Sequence, residues 1–280
     1  MRSIRSCLAK TATAVVLVLG VAACSSHSSP SAVDGAASTF VGHVHGLGVN
    51  PADNTVYVAA HGGVFRLVDG RLELVANRAQ DTMGFTVVGP DHFVASGHPA
   101  PTDADRPVHL GLIESTDAGV TWQERSLSGK ADFHSIEQGV DALYGYDSQS
   151  KTVMATTDKS EWTPLLEGDV YDLAAHPRQP GALVVTTDKG VVSIKDRLSA
   201  PLSTPKELVA VEWPTTDRLV GIDHEGAVHQ STDGGQSWKQ TGNVPGMVEA
   251  FDATAERWLA ATNQGIYSST DSGGSWVKLL

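Results

Sequence analysis

The 280-residue sequence has only two cysteines, Cys7 and Cys24, both near its start. From Ser25 onward no disulfide is possible, so that part must take its stability from a packed core. Basic clusters are missing as well. Lys and Arg total 20 against 32 Asp and Glu, for a formal net charge of −12. That balance excludes a nucleic-acid-binding face, which needs clustered Lys and Arg. It also disfavours a surface lying flat on an anionic membrane. No long amphipathic helical stretch is visible. There is no Gly-x-Ser-x-Gly elbow, no phosphate-binding Gly-Lys-Ser/Thr loop and no Cys-x-x-Cys, which leaves serine-hydrolase, nucleotide-hydrolase and dithiol chemistry without their usual parts. Long apolar runs are lacking too. The apolar stretch Thr11 to Ala22 is too short to span a bilayer comfortably.

What is present at the start is a basic segment (Arg2, Arg5, Lys10), that apolar stretch, and Val21-Ala22-Ala23-Cys24. This order resembles a bacterial lipobox. The resemblance implies a signal peptide over 1–23 and a lipidated Cys24 at the new N-terminus. Residues 24–38 continue as a small, polar tether. The expectation is an extracytoplasmic protein anchored to a membrane by lipid rather than spanning it. Losing three basic residues and no acid would leave the mature chain more acidic still.

Internal repetition is the strongest signal. "STDAGVTW" (115–122), "STDGGQSW" (231–238) and "STDSGGSW" (269–276) are three copies of one pattern, and "TTDKSEW" (156–162) is a shortened fourth. The Asp carboxylate is placed to accept backbone N–H groups in a tight turn. Gly permits a backbone that a Cβ would obstruct, and Trp supplies a large apolar plate. The pattern resembles the Asp-box (BNR repeat) of sialidase-like β-propellers. In that reading Asp117, Trp122, Asp233, Trp238, Asp271 and Trp276 are structural. Weak copies at Asp69 and Asp196 complete a series spaced about 40 residues apart, the size of a four-stranded propeller blade. The expected fold is all-β, one six-bladed propeller over 39–280.

The register aligns six innermost strands, beginning "HVHGLGV" (43–49), "DTMGFTV" (81–87), "DFHSIEQ" (132–138), "DVYDLAA" (169–175), "ELVAVEW" (207–213) and "MVEAFDA" (247–253). Their first positions include His43, Asp81, Asp132, Asp169 and Glu207. Their third positions include His45, Met83, His134, Tyr171 and Glu249. Both rings are expected at the channel mouth. Turns between second and third strands add His61 and His98 on the same face. Blade 2 carries an insertion there, "HPAPTDADRPVH" (98–109), expected to form a rim or lid. Imidazole with thioether favours copper, and imidazole with carboxylate suits zinc or iron. His45, Met83 and His134 are the leading metal-ligand candidates, with His43, His61 and His98 beside them.

"HVHGLGVNP", "DTMGFT", "SGHP", "HLGLIESTDAG" and "YGYDS" resemble an exported bacterial group of Asp-box propellers labelled glycosyl-hydrolase-like or sialidase-like. That resemblance implies a sialidase, yet the parts of one are missing. No Arg-Ile-Pro occurs, and no arginine triad can be assembled near the mouth. A different glycosidase would need a carboxylate pair, for which Asp81, Asp132, Asp169 and Glu207 are candidates. A third reading is a metal-free assembly scaffold for a protein partner. The favoured reading is a binding module with a copper site at the mouth, no catalytic residue assigned, and a protein or glycan as a further partner.

Overall fold

The computed structural model describes residues 41–280. The expected signal segment, the lipidated Cys24 and the tether lie outside the described residues. Residues 44–278 form six four-stranded antiparallel sheets, each built from four consecutive strands. The blades are 44–74, 81–126, 133–167, 170–202, 208–243 and 248–278. Each inner strand packs beside the next, and the first packs beside the last, so the sheets close into a six-bladed β-propeller. The only helices among the described residues are the short 3₁₀ turns Val75–Asn77 and Pro101–Asp103.

Burial follows position in the blade. Second strands such as Val56–Ala60, Leu143–Asp147 and Trp258–Thr262 are buried along their whole length, because neighbouring blades cover both faces. Outer strands such as Gln123–Ser126 and Lys239–Asn243 are polar and mostly exposed, which blunts a free sheet edge. A separate apolar cluster fills each seam. Phe85 and Phe93 of blade 2 meet Tyr57 of blade 1, and Phe133 and Ile136 of blade 3 meet Val94 and Leu112 of blade 2. Val44, Val58 and Phe65 of blade 1 meet Leu259 and Ile266 of blade 6. Burying one such side chain contributes about 1.5–3 kcal/mol.

The repeated Ser-Thr-Asp turns join third to outer strands. In each, the Asp accepts from the Ser two residues before it and from a backbone N–H and hydroxyl four residues after it. Asp233 takes Ser231 Oγ at 2.8 Å, Ser237 N at 2.8 Å and Ser237 Oγ at 2.5 Å. Asp117 and Asp271 repeat the pattern. These bonds hold Asp233 and Asp271 down to about 2, led by Ser237 and Ser275 respectively. Trp122, Trp162, Trp238 and Trp276 each pack into the seam with the preceding blade. Asp69 and Asp196 occupy the same turn but build it differently. Both residues of each tight turn, Asp69-Gly70 and Asp196-Arg197, have positive φ. This is a two-residue hairpin of primed type, which needs neither the Ser hydroxyl nor the Trp.

Candidate metal centre

Every inner strand carries an irregularity at the same place, and the inner strands of blades 2 and 5 carry a second one further along. The pairing register slips by one residue at His45, at Met83-Gly84, at His134, Tyr171, Val209 and Glu249. These are β-bulges, which re-aim a side chain and bend the strand. They coincide with the third aligned position of the six strands, so the ring expected from sequence is a ring of bulges. His43, His45, His134, Tyr171 and Glu249 line a central cavity of about 330 Å3. Met83 takes its bulge position but is buried and does not line that cavity.

The histidines of blades 1 to 3 divide into two groups. In the first, His61 Nδ1 lies 3.0 Å from Asp81 Oδ1 and 3.4 Å from His45 Nε2. The His43 ring sits 4.8 Å from that of His45, centre to centre. One proton on His61 Nδ1 would have to serve both neighbours. Burial, and then the nearby His43 and His61, push His45 down to about 3. Its imidazole is therefore neutral, with a lone pair available, throughout the physiological range.

In the second group Asp132 is buried beneath His98, His109 and His134. His134 Nε2 donates to Asp132 Oδ2 at 3.1 Å and Ser148 Oγ donates to the same oxygen at 3.2 Å. Burial raises the Asp132 carboxyl, but the His134 bond and the His134 and His98 charges outweigh it and hold it below the usual carboxylate range. Thus His45 and His134, paired in the sequence reading, sit in different groups. His109 was not singled out from sequence; the signal was its place at the far end of the "HPAPTDADRPVH" insertion that begins with His98.

The rest of the rim is internally bonded. Tyr171 Oη donates to Glu207 Oε1 at 3.1 Å, Lys151 pairs with Asp169 at 2.6 Å, and Glu249 Oε2 accepts the Val44 N–H at 3.1 Å. Histidines elsewhere have local structural partners. His92 meets Glu114, His176 Nδ1 accepts the Arg178 and Gln179 N–H groups, and buried His229 meets Asp223.

Three residues beyond the bulges, about 10 Å along the strands, sequence reading missed a second feature. Glu137, Glu212 and Asp252 line the cavity there, Asp172 lines it too, and among the described residues no Lys or Arg does. All four are half-buried. Burial first, and then the neighbouring carboxylates, push Glu137 and Glu212 well above the usual range. Burial raises Asp252 to about 7 and Asp172 to about 6. Asp172 stays bonded, accepting Ser135 Oγ of blade 3 and Val211 N of blade 5, both at 3.0 Å.

No family model matches the sequence, and no curated protein matches it significantly. Solved structures match the fold. A gluconolactonase from Xanthomonas campestris aligns with TM-score 0.63 and 14% identity over 82% of this chain and 86% of its own. A chain of a nidogen/laminin complex aligns with TM-score 0.60 and 10% identity, covering 80% and 92%. YCF48 bound to D1 peptide aligns with TM-score 0.53 and 15% identity, covering 85% and 81%. These neighbours include an enzyme and proteins captured with binding partners, so the fold is common to both kinds of function.

Proposed function

We propose that this propeller binds a divalent transition-metal ion at its channel mouth, through His45, His61 and Asp81. The observation that carries the reading is the meeting of His45 Nε2, His61 Nδ1 and Asp81 Oδ1 within 4.8 Å of one another, from two blades. Ligand atoms about 2.1 Å from a tetrahedral ion sit about 3.4 Å apart. The 3.0 and 3.4 Å separations are of that size. Two imidazoles and a carboxylate suit Cu(II) or Zn(II), and the Irving–Williams order puts copper first. The thioether of Met83, which would turn the preference toward Cu(I), is outside the cavity lining. With Cys24 lipidated, the propeller would hold its metal outside the cytoplasm at a membrane surface, where handling metal or presenting it to a partner is its proposed role. That no Lys or Arg among the described residues lines the cavity also speaks against a sialidase-like grip on a carboxylate substrate.

The test is a titration of the full chain with Cu(II), Zn(II) and Cu(I) against a competing chelator. The reading expects that His45→Ala and His61→Ala each lose the same equivalent. An unchanged stoichiometry and affinity in both variants would overturn it.

A further inference from the structure

We infer that the mouth holds a second, separate metal site, formed by His98, His109 and Asp132 between blades 2 and 3. One ligand atom from each lies within 4.8 Å of the others. His98 Nε2 and His109 Nδ1 are each 3.8 Å from Asp132 Oδ2. That is too long for a hydrogen bond and close to the spacing of two ligands around one ion. The nitrogens face the carboxylate across a gap of that size.

The atoms around the gap are prepared in the way metal ligands are. His98 Nδ1 donates to the Val108 carbonyl at 2.9 Å. In the neutral ring this leaves Nε2 as the lone-pair nitrogen and aims it at Asp132. Asp132 is itself oriented by His134 and Ser148. His109 Nδ1 and the other Asp132 oxygen, Oδ1, are buried with no hydrogen-bond partner among the described residues. Buried polar atoms normally have one, and an ion held between His109 Nδ1 and Asp132 Oδ2 would give His109 Nδ1 its missing partner. The set is again two imidazoles and a carboxylate, so the ion belongs to the same divalent class, with at least one coordination position left for a small ligand.

The site also has a mechanical consequence. His98 ends the second strand of blade 2, and His109 lies just before its third strand, Leu112–Ser115. An ion would tie both stems of the 99–108 insertion to the first residues of blade 3. The two sites are adjacent yet distinct, since His98 pairs across the strands with Asp81 of the first site.

The experiment counts metal on the full chain by native mass spectrometry and chelator competition, with Zn(II) and Cu(II) as probes. The parent should bind two equivalents. His98→Gln and His109→Ala should each lose one and retain the other, whereas His45→Ala should lose the opposite one. Melting without metal, close to the parent's, confirms that each variant is folded. Retention of two equivalents with unchanged affinities in both His98→Gln and His109→Ala would overturn the second site and leave the first standing. Binding of one equivalent that only those two variants abolish would establish the second site and overturn the first.

Discussion

The backbone N–H of Val44, in the first blade, donates to Oε2 of Glu249, in the last, at 3.1 Å across 205 residues of sequence. Each blade is built from consecutive strands, so among the described residues no strand crosses the seam between blades 6 and 1. The ring is held there by apolar packing and by this bond at the bulge of blade 6. Glu249→Ala leaves a half-buried N–H without its partner, at a cost of about 1–3 kcal/mol. Glu249→Gln keeps a carbonyl oxygen to accept it and should cost less. Hydrogen exchange at the Val44 amide reads the seam directly. Equal exchange in the parent and the Ala variant would rule the bond out as a closure element.

A second prediction concerns Gly97. Its φ is +139°, and a Cβ there would lie 2.1 Å from the Asp81 carbonyl oxygen and 2.9 Å from Met83 N. The two strands that carry Asp81 and His98 are pressed together at that point. Gly97→Ala should cost about 3 kcal/mol or more, because backbone strain and a main-chain clash add. Gly190 is the control: its φ is +112°, but nothing lies within 4 Å of the added carbon. Thermal unfolding of the two variants should differ clearly. Equal losses would attribute the effect at Gly97 to backbone conformation alone.

The cavity carboxyls predict a pH dependence. Asp252 titrates near 4 when unfolded and at about 7 when folded. The folded chain therefore holds the extra proton between about pH 4 and 7, and the associated stability is lost as pH rises through that window. Glu137, Glu212 and Asp172 face the same region and shift in the same direction. Asp252→Asn should melt higher than the parent at pH 8, and the two should converge near pH 4. Each kcal/mol gained corresponds to about 2–4 °C. A parent that is equally stable relative to the variant at both pH values would sink this account.

The Ser-Thr-Asp turns predict the opposite slope at lower pH. Asp233 and Asp271 are held at about 2 by hydrogen bonds to the ionised form. Their contribution is present above the unfolded value near 4 and is lost as pH falls toward 2. The double variant Asp233→Asn/Asp271→Asn should melt below the parent at pH 7 and show a shallower acid limb. Identical melting profiles from pH 2 to 7 would mean that the turns contribute nothing through these carboxylates.

The repeat made the architecture legible before any coordinates. A turn that needs Asp, Gly and Trp at fixed spacing recurs about every 40 residues, and four strands between recurrences leave one economical way to bury every blade face. The same register placed His43, His45, His61, His98 and His134 on one face, because strand polarity and blade order fix which ends meet. The variant geometry at Asp69 and Asp196 was not legible, since two-residue hairpins need no side-chain signature beyond residues that tolerate positive φ.

Linear order by itself determined the blades, the turns and the face on which the imidazoles gather. Tertiary structure alone decided their partners. Bulges at His45 and His134 swing them into separate groups. The folded insertion returns His109 to His98, and blade 3 supplies Asp132 beneath them. Those meetings depend on side-chain directions across seams, which closure sets at the scale of single ångströms. Likewise Glu137, Asp172, Glu212 and Asp252 read as ordinary strand acids until ring closure encloses them together, where burial rather than sequence neighbours shifts their titration.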